Sequence, residues 1–315
     1  MTFTSDQLCA LDELAVLHIR GADARSFMHS QLTNAVDDLT ANQATLAGFC
    51  QAKGRLQATM LLWVDPANSQ NLYALLHRSI AETVRKRLTL FLLRAKAELV
   101  ISPARVYGLF NAPTDSFTLP ATHYRTSHQA DGSRTLIAAP NASSMLPARA
   151  WVIEYADDAG RERTPALDTQ RWQAADIQAG LPWIEEASYE TFLPQDINFD
   201  IIGGVSFKKG CFPGQEVVAR LHYRTTAKRR AALGAIRTDT ALAIAVGSDV
   251  FATEQGDRPI GRVINSAYDA TTQQQVLLME VSIDGITEKS LHALTAQGPE
   301  IHLQDLAFGW DIAKY

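Results

Sequence analysis

In the first hundred residues, segments whose apolar pattern is typical of strands alternate with segments whose apolar pattern is typical of helices. Short apolar runs predict strands at Leu14–Arg20, Ala44–Gln51, Leu56–Val64 and Tyr73–His77. Apolar residues at every third or fourth position predict helices at Ala24–Leu32, behind an N-cap at Asp23, and at Ser79–Phe91. Strands that alternate with single helices and short turns indicate an α+β unit of the ferredoxin-like type.

The middle of the chain is less regular. Asn111–Arg149 is rich in Ser, Thr, Pro, Ala and Gly, and we interpret it as a surface excursion with one strand at Thr135–Ala139. A helix is predicted at Asp168–Ala179, because Gly180 and then Pro182 form a normal helix stop.

After residue 230 the pattern changes to short apolar runs separated by polar turns, with no helical period. The runs lie at Ala231–Ile236, Ser248–Ala252, Ile260–Ser266 and Val276–Val281. Their spacing predicts a small antiparallel barrel. We therefore expect two domains, residues 1–230 and residues 231–315.

The composition is that of an ordinary globular protein, with 46% hydrophobic and 20% charged residues in a chain of 315. A net charge of −5 argues against a generally basic nucleic-acid binder, so such a role would need a local patch. The amino terminus lacks the pattern of a secretory signal, and no apolar run reaches the roughly 18–20 residues that span a bilayer. We expect a cytoplasmic protein without membrane contact.

The three cysteines, Cys9, Cys50 and Cys211, are far apart and show no CxxC spacing, so we expect reduced thiols. The histidines are also scattered, and the sequence predicts no metal site. We expect Trp172 and Trp183 to serve packing rather than ligand binding.

The segment around Cys211 combines features that are unusual together. Gly210 and Gly214 bracket the cysteine and would permit positive φ or close backbone approach. A helix is predicted at Gln215–His222, so Cys211 would precede a helix N-terminus, with Lys208 and Lys209 upstream, and both features favour a thiolate. The alternative is a buried, inert cysteine between turn glycines.

A basic stretch follows the cysteine. Between Lys208 and Arg230 the sequence holds seven basic residues against one acid, Glu216. Such a run is usually a solvated helix face, and it is alternatively a site for an anionic ligand or an RNA backbone. With Tyr223 as the one aromatic in its basic part, we rank nucleic acid below a small anion.

These residues carry a resemblance to a known family. The run Lys208, Lys209, Gly210, Cys211, Phe212, Pro213, Gly214, Gln215, Glu216 resembles the signature of the YgfZ family, which has the aminomethyltransferase fold. Weaker blocks in the same order are similar to that family at 21–34, 52–55, 179–182 and 192–196. The resemblance runs from about residue 16 to residue 230.

The resemblance implies a fold and a role. It implies an α+β fold with two ferredoxin-like folate-binding units, the second inserted around 55–150, and a C-terminal antiparallel β-barrel. It also implies a site for tetrahydrofolate or a derivative, for which we name Gln178, Lys53, Arg55 and Arg220 as candidate contacts. Family members assist iron–sulfur enzymes and are linked to tRNA modification, with the family cysteine at Cys211 as the functional thiol.

Two departures from the parent aminomethyltransferases bear on activity. The stretch from Gly54 to Thr59 lacks the acids that those enzymes carry, with Gln57 and Ala58 in their place. Gln178 stands where a glutamate usually precedes Ala-Gly, so an amide replaces a charge. Whether the chain is an enzyme therefore stays open.

Three hypotheses follow from the sequence. The first is a tetrahydrofolate-binding accessory protein for iron–sulfur enzymes, including tRNA-modifying ones, with Cys211 as its thiol. The second is a folate-dependent one-carbon transferase, against which the missing carboxylate counts. The third is a non-catalytic RNA- or protein-docking module that uses the basic stretch.

Overall fold

The computed structural model describes residues 7–112, 124–143, 146, 148–155, 165–224, 227–253, 256–286, 290–306 and 308. Its strands are β1 Leu8–Ala10, β2 Leu14–Arg20, β3 Gln43–Cys50, β4 Leu56–Val64, β5 Leu72–His77, β6 Glu98–Ser102, β7 Arg105–Phe110, β8 Tyr124–His128, β9 Arg134–Ala139, β10 Arg149–Glu154, β11 Arg229–Arg237, β12 Asp249–Ala252, β13 Pro259–Asp269, β14 Gln274–Ser282, β15 Leu291–Ala293 and β16 Glu300–Gln304. Its α-helices are α1 Ala24–Gln31, α2 Arg78–Thr89, α3 Thr169–Gln178, α4 Gln215–Tyr223 and α5 Ile283–Ile286.

Ten strands form one sheet in the order β1-β7-β10-β9-β8-β3-β4-β5-β2-β6. One half contains β2 to β6, and α2 packs on it through Ile80, Val84 and Leu88. The other half contains β1 and β7 to β10. The halves join where β3 pairs with β8 over two residues, Gln43 with Arg125 and Ala44 with Tyr124.

Several predicted elements coincide with the observed ones because their signals are local. The strands at Leu14–Arg20 and Leu56–Val64 have the predicted bounds, and Asp168 caps α3 by accepting a hydrogen bond from the Gln170 N–H. Asp23 precedes α1 as predicted, but its carboxylate makes no cap and accepts instead from the Lys96 N–H at 2.7 Å.

Two predictions, one from composition and one from periodicity, differ from the structure. Asn111–Arg149 contains the predicted strand as β9, but it is not a surface excursion, because β8 and β9 belong to the ten-stranded sheet and the segment runs into β10, whose residues are all buried. Residues 113–123, 144, 145 and 147 lie outside the described part. The predicted helix Ser79–Phe91 extends too far, because α2 ends at Thr89 and Phe91 is 39% exposed. In both cases partner strands and the actual helix end, rather than the local pattern, decide burial.

The barrel predicted after residue 230 is present as six antiparallel strands, closed in the order β11-β14-β13-β12-β15-β16. Three of the predicted runs lie within its strands and the fourth overlaps β12 except for Ser248, whereas α5 and the last two strands were not predicted. Helix α3 packs on β13 and β14, while its Trp172 contacts Trp151 of β10 edge to face. Helix α3 therefore lies between the barrel and the sheet, which positions the cavities described next.

No helix in the described ranges is long and apolar enough to cross a bilayer.

Candidate functional site

A cavity of about 300 Å³ lies where the first half of the sheet, α3 and the barrel meet. We call it the tryptophan cavity, because Trp172 and Trp183 contribute to its wall. Its other lining residues are Glu13, Leu14, His77, Gln173, Asp176, Ile177, Leu181, Glu185, Ile244, Ala245, Val246, Asn265 and Ser266. Aromatic and apolar walls with a few convergent polar groups are typical of small-molecule sites.

A buried polar network fixes the position of Trp183 in the tryptophan cavity. The Trp183 indole donates to Asp176 at 3.0 Å, and Arg149 donates to the other oxygen of the same carboxylate at 2.9 Å. Burial raises the pKa of Asp176, while the Arg149 charge and the two hydrogen bonds oppose that change. Asn265 of the barrel holds the backbone of Trp183 from the other side, with bonds of 2.9 Å to its N–H and its carbonyl.

Glu13 is a second acid in this wall. Its carboxylate accepts a hydrogen bond from the Gln173 amide at 3.1 Å and another from its own backbone N–H. Burial raises the pKa of Glu13 to about 7, and the negative charges of Asp176 and Asp12 act in the same direction. A carboxyl in this setting gains from any ligand that donates hydrogen bonds to it.

His77 and Glu185 line the same cavity, with His77 Nε2 at 3.4 Å from a Glu185 carboxylate oxygen. Burial lowers the pKa of His77 and raises the pKa of Glu185, so desolvation favours the neutral form of both side chains.

Gln178 lies on the opposite face of α3, in a second cavity of about 430 Å³. Arg149, Arg171, Asp269 and Gln304 also line this cavity. The other three candidate folate contacts, Lys53, Arg55 and Arg220, line neither cavity. The structure thus does not bring the four candidates together around one space.

Lys53 and Arg55 belong instead to the turn between β3 and β4. Both are exposed, and the Arg55 guanidinium donates to the carbonyl of Thr191. Gln57, where the parent enzymes carry an acid, is buried and donates to Glu190 at 2.6 Å in an open groove beside α2. Lys53, Arg55 and Gln57 all lie outside the lining of the tryptophan cavity.

The turn at Gly54 meets the segment around Cys211. Gly54 and Gly214 both have positive φ, and a Cβ added to Gly214 would lie 2.6 Å from the Gly54 Cα. The Leu193 side chain would contact a Cβ on Gly54, while the Gln195 amide donates to the Val218 carbonyl at 2.8 Å. Motif blocks that are far apart in the sequence therefore converge beneath the cysteine loop.

Lys209 anchors this loop to the end of α1. Its ammonium donates to the carbonyls of His29 and of Leu32, the latter at 2.6 Å, and it lies 5.1 Å from the centre of the Phe212 ring. Burial lowers the pKa of Lys209 to about 8, although the charges of Asp37 and Cys211 act in the opposite direction. Phe212 is buried in the main core. Lys209 and Phe212 thus fix the backbone on both sides of Cys211.

Cys211 itself is exposed, four residues before the first residue of α4. Cys9 and Cys50, the other two cysteines, are buried; burial raises the pKa of Cys9 to about 12 and raises that of Cys50 as well. Cys211 is therefore not the buried cysteine of the alternative interpretation. Gly210 has neither the positive φ nor the close neighbour that its sequence context predicts; a Cβ there would meet no atom within 4 Å.

The basic stretch is partly neutralised by ion pairs. Arg230 is buried and pairs with Asp200 at 2.7 Å, and Arg229 pairs with Glu280 of β14. Exposed basic residues of the stretch are Lys208, Arg220, Arg224 and Lys228. Beside them Phe207 and His222 stack at 3.6 Å between ring centres, and Tyr223 meets both rings edge to face.

Sequence reasoning missed several of these residues. It did not identify Glu13, Asp176 or Asn265, since an isolated acid or amide gives no signal until its neighbours in space are known. One signal was available for Asp176, an acid four residues after Trp172 on the apolar face of a predicted helix. Phe207 and His222 lie too far apart in the sequence to suggest a stack.

Comparison with solved structures identifies the fold. The chain resembles the crystal structure of glycine cleavage system aminomethyltransferase T from Bartonella henselae, with a TM-score of 0.69 over 96% of this chain and 86% of that chain, at 12% identity. The fold is therefore that of the aminomethyltransferases, which confirms the predicted α+β class with a C-terminal antiparallel barrel. No family model matches the chain.

The relatives by sequence identity define a single family within this fold. The chain is 34% identical over 235 residues to the tRNA-modifying protein YgfZ of Edwardsiella ictaluri, which covers 70% of this chain and 69% of that protein. It is 30% identical over 233 residues to the protein of the same name from Escherichia coli, again covering 70% and 69%. The chain belongs to the YgfZ family, as the cysteine segment and the blocks upstream of it predicted.

Proposed function

We propose that this protein binds tetrahydrofolate or a derivative in the tryptophan cavity. We further propose that it supports the assembly or repair of iron–sulfur enzymes in the cytoplasm, including tRNA-modifying ones, with Cys211 as its functional thiol. The observation that carries this proposal is the separation of two features. A cavity of small-molecule character lies between the sheet, α3 and the barrel, while the thiol is exposed on a loop supported by the converging motif blocks.

The residues of the tryptophan cavity suit a pterin ring. A pterin is flat and presents adjacent N–H donors, which match aromatic walls and a carboxylate acceptor. Trp172 and Trp183 supply such walls, and the Glu13 carboxyl has few protein donors and a raised pKa. A volume of about 300 Å³ is at the lower end of the roughly 300–1,000 Å³ typical of ligand sites. Bound folate would supply one-carbon chemistry; the protein residues bind and orient it.

The position of Cys211 favours the accessory role over one-carbon transfer. Cys211 lines neither cavity beside α3, so its thiol is presented to a partner molecule rather than to bound folate. Gln57 and Ala58 stand where the parent enzymes carry acids. Both are buried, and neither side chain has a carboxylate that could take part in one-carbon transfer. The Glu190 carboxylate beside Gln57 lies in the groove beside α2, apart from the wall formed by the two tryptophans.

Thermal unfolding in the presence of tetrahydrofolate tests the ligand and its position. A ligand at 100 times its Kd stabilises the folded state by about 2.7 kcal/mol, so the wild-type Tm should rise with concentration. Glu13→Gln keeps the shape of the side chain and removes the charged acceptor, and it should weaken binding by roughly 10- to 100-fold. Cys211→Ala is the matched control and should keep the full shift in Tm.

Absence of a shift with any reduced folate would refute folate binding. An undiminished shift in Glu13→Gln would place the ligand elsewhere, with the cavity at Gln178 as the next candidate. The thiol is tested separately in cells that lack the native protein, by the activity of an iron–sulfur enzyme. Cys211→Ala and Cys211→Ser should both fail to restore that activity, and restoration by either would show that the thiol is dispensable.

A further inference from the structure

The surface beside Cys211 carries an aromatic cluster that the sequence did not reveal. Phe207 and His222 are stacked with their ring planes 12° apart, and Tyr223 stands nearly perpendicular to both. Tyr223 is 67% exposed, although a large aromatic side chain normally loses most of its surface on folding. An exposed ring held by two others is a preformed stacking surface rather than a core residue.

Positive charge surrounds these rings. Arg220, Tyr223 and Arg224 lie at i, i+3 and i+4 in the region of α4, so they share one side of the helix. Lys208 follows Phe207 directly and is exposed, and no ion pair is observed for Arg220, Arg224 or Lys208 within the described ranges. We call the six residues Phe207, Lys208, Arg220, His222, Tyr223 and Arg224 the aromatic–basic surface.

We infer that the aromatic–basic surface binds single-stranded RNA, with a base stacked on Tyr223 and phosphates held by Arg220 and Arg224. Aromatic rings that stack on bases and cations that follow the backbone are the two components by which proteins hold single strands. Paired RNA offers its bases only at the ends of the stack, so the exposed ring selects unpaired nucleotides. The choice of RNA rests on the proposed function, in which the supported enzymes include those that modify tRNA.

The same surface adjoins the proposed thiol. Cys211 is exposed in the loop that begins at Phe207 and ends at the first turn of α4. The Lys209 anchor and the buried Phe212 hold this loop in place. RNA on the aromatic–basic surface would therefore lie beside Cys211 and away from the tryptophan cavity, so folate and RNA should bind without competition.

Fluorescence anisotropy of the full chain with a labelled ten-nucleotide oligouridylate tests this inference. Tyr223→Ala should raise the Kd by on the order of 10-fold, whereas Tyr223→Phe keeps the ring and should stay within about twofold of wild type. In the double variant Arg220→Gln and Arg224→Gln, the slope of log Kd against log salt concentration should fall by about 1.4, since each single-strand phosphate contact contributes about 0.7. Arg258→Gln, an exposed charge on the barrel, is the control and should change neither quantity.

Three results would overturn the inference: no binding at 50 mM salt, unchanged binding in both surface variants, or equal affinity for a blunt RNA duplex. Equal affinity for the deoxyribose strand of the same length would overturn the choice of RNA. The shift in Tm by tetrahydrofolate, measured on the same variants, separates this inference from the proposed function. Tyr223→Ala should keep the shift in Tm. If tetrahydrofolate gave no shift in the wild-type protein, that result would count against folate binding but not against RNA binding.

Discussion

Lys209 and Cys211 are two residues apart and have opposite surroundings. The sequence suggests that Lys209 supplies a free cation near the thiol, but its ammonium is half-buried and donates to backbone carbonyls at the end of α1. Cys211 projects into solvent from the same loop. The lysine therefore serves to hold the loop that exposes the cysteine.

Glu13 makes a residue-scale prediction about pH. Burial raises its pKa from an ordinary 4.5 to about 7, so between these values the folded protein holds a proton that the unfolded chain has released. The stabilising contribution is present in full below about pH 4.5 and is lost as the pH rises through about 7. Glu13→Gln abolishes this loss, and urea unfolding should show the variant gaining stability relative to wild type between pH 5 and pH 7.5. An unchanged difference across that range would contradict the prediction.

At the scale of elements, two turns lock the motif region together. The turn between β3 and β4 and the turn before α4 pack glycine against glycine, with the Gly214 backbone in the left-handed region. A side chain at either position would separate them. Close approach of these turns allows blocks more than 150 residues apart in the sequence, at 52–55 and 208–216, to support one loop.

Substitution of the two glycines that bracket Cys211 should therefore have unequal effects. Gly214→Ala places a Cβ 2.6 Å from the Gln51 carbonyl and strains a positive φ, and it should lower the free energy of unfolding by about 2–4 kcal/mol. Gly210→Ala meets no atom within 4 Å and should change it by less than about 0.5 kcal/mol. Chemical denaturation of both variants measures the difference, and similar losses would show that the loop is packed differently.

At the scale of the whole molecule, buried polar side chains join the barrel to the rest of the protein. The Asn198 side chain donates to the Ala231 carbonyl at 2.9 Å and accepts from the Ala231 N–H at 3.3 Å, as a strand partner would. Arg230 pairs with Asp200, and Asn265 bonds the backbone of Trp183. The tryptophan cavity is complete only while the barrel stays docked, because Ile244, Val246 and Asn265 belong to its wall.

Substitution of Asn198 should weaken this docking and lower the stability of the protein. It is fully buried with a φ of 57°, a conformation that asparagine and glycine tolerate better than alanine. Asn198→Ala should destabilise the protein by about 2–4 kcal/mol through two lost hydrogen bonds and backbone strain, and Asn198→Gly by about 1 kcal/mol less. Urea unfolding followed by fluorescence and circular dichroism measures both values. Equal losses in the two variants would show that strain plays no part.

The sequence alone determined the features that depend on neighbours along the chain. The strand at Leu56–Val64, the helix that ends before Gly180, the antiparallel barrel and the family signature at Cys211 were all predicted, because periodicity, helix-stop residues and turn residues are local properties. Only the tertiary structure decided what depends on distant partners. It showed that β8 and the predicted strand β9 belong to the ten-stranded sheet, that Arg229 and Arg230 are paired, and that Glu13 lines one cavity with two tryptophans. Burial, charge pairing and enclosure are properties of surfaces that meet in space, and single residues carry no local signal for them.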